Sequence, residues 1–206
     1  MIVTIQAVPE RVKLAIKLAE QFIVHKPTIT VDKQKRGNFP TFEKMLEIPV
    51  TDFRLHLQDD AILCKNFEAY MPSVHKHMDR FNVDIVSFFL FDEGYEMIKN
   101  NKRYGDYLDY KSFYGAMGIM FSAKIIPALQ ANIKKYRLLN FKHKHAWRYG
   151  LNDDSFLTWV IRKESINTHV HIPVLVQHNG NLKSTLRHAR GKAKMSSHFK
   201  ANFIWE

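Results

Sequence analysis

The sequence predicts an α/β fold, a mixed but mainly parallel sheet flanked by helices in a single domain, and three observations lead to it. A strand, a helix and a second strand follow one another between Met1 and Asp32, the pattern of a right-handed βαβ unit. Val83 to Phe91 is so continuously apolar that it reads as a strand buried on both faces. With 206 residues, 46% of them apolar and 25% charged, the chain can bury one substantial core.

Met1 to Ala7 is rich in β-branched residues and reads as the first strand; Pro9 then sits where a helix can begin, because its missing N–H is not needed in a first turn. Val12, Ile16, Ala19, Phe22 and Ile23 recur at helical spacing, with Lys13, Lys17 and Glu20 facing out. Pro27 to Asp32 is the second strand, ending on an acid, and the polar stretch Lys33 to Asn38 follows. Thr41 is expected to cap a short helix over Phe42 to Ile48. Asp52 to Leu57 forms the third strand and delivers Asp59 and Asp60 at its carboxyl end, the edge at which open α/β sheets bind ligands. Asn66 to Arg80 is expected to be a helix disturbed at Pro72. After the buried strand, Asp92 to Tyr114 loses periodicity and fills with Tyr, Lys and Asn, which reads as a functional loop.

Gly115 to Phe121 joins two glycines to an apolar run, as in a strand whose start must approach a ligand or another backbone closely. Ser122 is expected to cap a helix with Ile125, Ile126, Leu129, Ile133 and Tyr136 on one face. Asn152 or Asp153 caps the next helix, whose Phe156, Leu157, Val160 and Ile161 face inward. Asp154 falls in its first turn, where the helix dipole favours an ionised carboxylate. Thr168 to Val176 is the last strand and ends in Gln177-His178-Asn179-Gly180; Leu182 to Glu206 is a basic tail with no assigned element.

Charge narrows the classes of partner. The formal net charge is +11, and six basic residues (Lys134, Lys135, Arg137, Lys142, Lys144, Arg148) lie between Gln130 and Gly150 without an acid. Six more (Lys183, Arg187, Arg190, Lys192, Lys194, Lys200) lie between His169 and Trp205, again without one. Such segregation favours a polyanion, whether nucleic acid, nucleotide or anionic membrane surface; the alternative is a solvated basic face that aids solubility. A single cysteine, Cys64, in an apolar run reads as a buried small residue in a reducing compartment. No apolar run approaches the roughly 20 residues of a membrane span, and Met1 to Ile5 lacks the charged head of a signal peptide, so a cytoplasmic protein is expected.

The chemistry is expected at Gln58-Asp59-Asp60. Adjacent carboxylates at a strand end repel each other and are costly to desolvate, so a cation or a donor-rich ligand is expected to compensate them; the alternative is a solvated turn. The histidine pairs His75 and His77, His143 and His145, and His169 and His171 do not read as metal sites.

Taken together, the acid after the second strand (Asp32), the acidic pair, the glycine-bearing strand, the acidic helix start and the strand ending in His178 resemble, in order and content, the nucleotide-sugar-dependent glycosyltransferases of the GT-A fold. The resemblance implies a Rossmann-type catalytic domain over 1–180, with 181–206 as a basic segment packing on or extending it. It implies that Asp60 and His178 bind Mn²⁺ or Mg²⁺ against the diphosphate of a UDP-sugar. Gln58 and Asp59 would meet the ribose or donor sugar, Asp32 the uracil or ribose, and Gly115 and Ala116 the donor. Asp153 and Asp154 stand where inverting members keep the base, Asp154 favoured and Asp153 more suited to capping.

In size and charge the chain also looks like small enzymes of bacterial viruses that glycosylate hydroxymethylated pyrimidines. The implied reaction is transfer to 5-hydroxymethylcytosine in duplex DNA, with the basic segments gripping the backbone. The rival acceptor is lipopolysaccharide or capsule at a membrane surface. The rival of another class is a nucleic-acid-binding module without catalysis.

Overall fold

A computed structural model of the protein describes residues 1–111, 115–142, 152–179 and 196–202. Its strands are β1 (Ile2–Ala7), β2 (Thr28–Val31), β3 (Phe53–Gln58), β4 (Ala61–Leu63), β5 (Ile85–Ser87), β6 (Arg103–Tyr104), β7 (Tyr107–Asp109), β8 (Gly118–Ser122), β9 (Thr168–His171) and β10 (Val176–His178). Its helices are α1 (Val12–Ala19), α2 (Asn38–Leu46), α3 (Met71–Phe81), α4 (Asp92–Ile98), α5 (Ile126–Lys142) and α6 (Asp153–Glu164). The main sheet runs β2-β1-β3-β8-β5-β9-β7-β6, and β4 with β10 forms a second, two-stranded sheet. β1 lies parallel to β2 and β3, and β5 parallel to β9, while β8 runs antiparallel between β3 and β5. The result is a mixed α/β sheet flanked by helices. None of the described helices is long and apolar enough to cross a membrane.

Several elements depart from the sequence pattern for identifiable reasons. The chain opens its first helix with a 3₁₀ turn, Pro9–Arg11, whose Arg11 points inward. That sets the buried face of α1 to Ala15, Leu18 and then Phe22, one residue out of phase with the expected stripe, and Ile16 and Ile23 are left 45% and 93% exposed. α2 begins at Asn38 rather than at Thr41, and Thr41 lies inside the helix. Pro72 falls at the start of α3, where it costs no hydrogen bond, after a 3₁₀ turn over Phe67–Tyr70. The stretch read as one strand over Val83 to Phe91 is β5 followed by a buried turn, because Ser87 Oγ donates to the Phe89 carbonyl and bends the chain. Asp92 to Tyr114 contains α4 and the β6–β7 hairpin, whose β7 pairs with β9 through Leu108 and Val170. The last strand divides at Pro173, which has no N–H to continue a ladder, so β9 stays in the main sheet and β10 leaves it. Ser122 precedes a 3₁₀ turn without a side-chain cap and instead donates to Asp84, whereas Asn152 accepts from the Ser155 N–H and caps α6.

The core lies on both faces of the sheet. α1 and α3 cover one face over Ile5, Leu55, Leu57 and Met120; α2, α5 and α6 cover the other over Ile119, Phe121 and Ile85. The polar side of β3 is therefore buried as well. Arg54 reaches the Ile48 carbonyl, and His56 packs against the ring of Phe42 at 5.2 Å with both ring nitrogens lacking a hydrogen-bond partner among the described residues. Burial, with the charge of Arg54 adding to it, holds the His56 pKa down to about 3.

A buried base of this kind lends its full stability above the unfolded value of 6.5 and loses it as pH falls toward about 3. At pH 5 the loss is about 2 kcal/mol. Urea unfolding at pH 7.5 and pH 5 should show that His56→Leu narrows the stability gap between the two by about that amount; an unchanged gap would refute the assignment.

Candidate active site

The site forms where β3 ends. The chain turns back into β4 immediately after Gln58, so Asp59 and Asp60 occupy the turn, only 7% and 6% exposed. Two neighbouring carboxylates taken out of water need partners, and the adjacent strand supplies them. The Val8 N–H, just past β1, donates to Asp59 Oδ2 at 2.9 Å. Arg11, buried by the 3₁₀ turn, places one guanidinium nitrogen 2.5 Å from Asp60 Oδ2 and 3.3 Å from Asp59 Oδ1. Burial still pushes the Asp59 pKa up to about 6; the Asp60 charge adds to the rise, and the Val8 N–H and Arg11 oppose it.

The two-stranded sheet brings in the far end of the chain. β10 runs antiparallel to β4 with His178 opposite Ala61, and the Asn179 N–H donates to the Asp60 carbonyl at 2.9 Å. His178 Nε2 consequently lies 3.5 Å from Asp60 Oδ2. Asp60 Oδ1 is buried and has no hydrogen-bond partner among the described residues.

A second acidic pair stands beside the first. Because Asn152 caps α6, Asp153 is free to turn fully inward, where it accepts from Asn38 Nδ2 at 2.6 Å, the Asp154 N–H at 3.0 Å and Gln58 Nε2 at 3.4 Å. Burial, and then the nearby Asp154 charge, raise its pKa well above the carboxylate range. Asp154, half-buried, accepts the Gly115 N–H at 3.2 Å. Burial raises it to about 6 against the pull of the Gly115 and Ala116 N–H groups, and its Oδ1 has no partner among the described residues. Gly115 holds φ of +95°, and a Cβ there would meet the Phe89 ring at 2.6 Å.

Contacts join several of the expected site residues: Asp60 with His178, as expected, and also Asp59 with Asp60 through Arg11, Gln58 with Asp153, and Asp154 with Gly115. Asp32 stands apart from these contacts and binds the Arg36 and Gly37 N–H groups, which shapes the entry to α2. It lines a cavity with Lys33, Arg36, Pro40, Thr41 and Lys44. Lys134, Lys135 and Arg137 are exposed on α5, and Arg137 pairs with Glu43. Lys144, Arg148, Lys183, Arg187, Arg190, Lys192 and Lys194, and the side chain of Lys142, lie outside the described residues. Ser196 to Asn202, at the end of the basic tail, pack back on the domain: Gln177 Nε2 donates to the Ser196 carbonyl at 2.8 Å, and the Lys65 N–H to the Ala201 carbonyl at 2.7 Å. Arg11 escapes a reading based on apolar periodicity, although it shares the inward phase of Ala15, Leu18 and Phe22.

No protein-family model matches the chain, and no curated protein matches it. Among solved structures it is similar to A197 from STIV, at 9% identity over 100% of this chain and 99% of that one, with a TM-score of 0.47. It is also similar to the apo-form glycosyltransferase GlyE of Streptococcus pneumoniae TIGR4, at 13% identity over 81% of this chain and 44% of that one, with a TM-score of 0.43.

Gly115→Ala should cost about 2 to 3 kcal/mol in thermal or urea unfolding, from the Phe89 overlap added to backbone strain. Gly37→Ala, at φ of +102° with nothing within 4 Å among the described residues, should cost only about 1 kcal/mol. Equal losses would show that the close approach at Gly115 is unimportant.

Proposed function

We propose that this chain is a metal-dependent glycosyltransferase that moves a sugar from a UDP-sugar to a hydroxyl acceptor, with 5-hydroxymethylcytosine in duplex DNA as that acceptor. One observation carries the reading: Asp60 and His178, far apart in sequence, meet within 3.5 Å at the carboxyl edge of the parallel strands, beside a buried carboxylate oxygen that lacks a partner among the described residues.

The donor set fits a hard divalent ion. Among the described residues no group of three or more His, Cys, Asp or Glu side chains could enclose a metal. An ion held by Asp60 and His178 would take its remaining ligands from phosphate and water, the habit of Mg²⁺ and Mn²⁺. Such an ion supplies stabilisation for the negative charge that builds on a departing diphosphate. Gln58 and Asp59 stand next to it for the ribose or donor sugar, Gly115 and Ala116 offer a close backbone approach, and the cavity at Asp32 suits the nucleoside.

The two acids at the start of α6 divide their roles by environment. Asp153 is enclosed and accepts three hydrogen bonds, which suits it to positioning. Asp154 is only half-buried, has its pKa raised to about 6 and carries an oxygen without a hydrogen-bond partner among the described residues, which suits it to accept the proton of an acceptor hydroxyl in an inverting transfer. The DNA acceptor is supported by the basic, aromatic-bearing segments between Gln130 and Gly150 and beyond His169.

Mass spectrometry of hydroxymethylated DNA incubated with the protein, Mn²⁺ and a panel of UDP-sugars should detect a hexose or pentose adduct. Modification of a saccharide alone would move the acceptor elsewhere, and no transfer to any acceptor would sink the reading. Asp60→Asn and His178→Ala should each lower kcat/KM at least a hundredfold. The wild-type rate should rise with pH through about 6 as Asp154 ionises, and Asp154→Asn should lose at least a hundredfold in kcat together with that limb.

A further inference from the structure

The charge balance around Arg11 has a consequence for how metal and nucleotide bind. Asp59 and Asp60 together carry two negative charges when ionised, and among the described residues the Arg11 guanidinium between them leaves a single net negative charge on a buried turn. A divalent ion entering alone would bring that total to a net positive charge, with two cations facing each other across Asp60. A diphosphate entering alone would find Arg11 but also two carboxylates. Only cation and diphosphate together restore the balance that Arg11 sets.

Resting on the transferase reading, we propose that Arg11 is a resident counter-ion of the acidic pair that opposes a divalent cation bound alone and supports the nucleotide diphosphate, so that metal and nucleotide bind as a unit. Two features of the site support this. Arg11 is itself buried on the first turn after β1, so its charge is poorly screened by water. Asp60 divides its oxygens: Oδ2 faces both Arg11 and His178, while Oδ1 is buried without a partner among the described residues. A cation taken by that free oxygen shares its carboxylate with the guanidinium, so the two positive charges compete directly. By linkage, whatever factor bound metal adds to the affinity for the diphosphate, bound diphosphate adds to the affinity for the metal.

Calorimetric titration at pH 7.5 measures Mn²⁺ alone, UDP alone in EDTA, and the two together. Arg11→Gln should bind Mn²⁺ alone at least tenfold more tightly than wild type, about 1.4 kcal/mol, and UDP alone at least tenfold more weakly. Circular dichroism establishes whether that variant folds with two carboxylates left facing each other. Combining Arg11→Gln with Asp59→Asn keeps the net charge, so this double variant should bind Mn²⁺ alone within threefold of wild type and still lose tenfold for UDP alone. The inference is overturned if Mn²⁺ affinity is unchanged or lower in folded Arg11→Gln, or if UDP affinity is unchanged in the double variant. A wild type that binds neither Mn²⁺ nor UDP even when the two are supplied together defeats the transferase reading itself, whereas a wild type that binds them, with the variants indistinguishable from it, defeats only the role given to Arg11.

Discussion

Burying two consecutive carboxylates is the constraint from which the rest of this site follows. Asp59 and Asp60 sit in the turn between β3 and β4 and are almost wholly withdrawn from water, which is tolerable only where opposite charge and N–H donors meet them. The neighbouring strand provides both. Since β1 lies beside β3 with Gln6 opposite Gln58, the residues just past β1 face the turn just past β3. Pro9 starts a 3₁₀ turn there, and the turn sends Arg11 inward rather than to solvent. The same inward rotation decides which face of α1 meets the core, so a polar requirement at one edge sets apolar packing along a whole helix.

A second pair of acids is gathered by topology. β8 runs antiparallel between β3 and β5, so its start, not its end, lies at the edge where β1, β2 and β3 finish. That brings Gly115 to Asp154, while Gln58, the residue next to Asp59, reaches Asp153. The helix cap matters here. With Asn152 satisfying the Ser155 N–H, Asp153 takes the Asp154 N–H and still reaches Gln58 at the sheet edge, while Asp154 reaches Gly115. Burial then raises both pKa values, and the backbone N–H groups of Gly115 and Ala116 pull Asp154 back to about 6.

Much of this was legible in the residues, and the failures have physical causes. The strand–helix–strand start, the acidic turn after β3, the apolar faces of α5 and α6 and the close approach at Gly115 all follow from local pattern. The division of Thr168 to Val176 into two strands in different sheets did not, because an apolar run does not say which partner each half will find. Nor did the hairpin within Asp92 to Tyr114, whose β6 and β7 are too short to impose a period and exist because β9 offers an edge to pair with. His56 and Arg54 alternate with leucines as solvent-facing residues do, yet α2 covers them. Arg11 was hidden for the opposite reason: a charge inside an apolar stripe looks like an interruption until its partners are known.

By itself the sequence determined the composition of the site: which acids stand at strand and helix ends, where glycine permits a close approach, and that an imidazole follows the last apolar run. Those properties depend on short-range pattern and on the chemistry of individual side chains. Tertiary structure decided which of these residues touch. The contact between His178 and Asp60 depends on β10 leaving the main sheet to pair with β4, and the contact between Arg11 and both aspartates depends on β1 and β3 being neighbours. Strand pairing between distant segments is settled by the packing of the whole sheet, and no local feature of the chain encodes it.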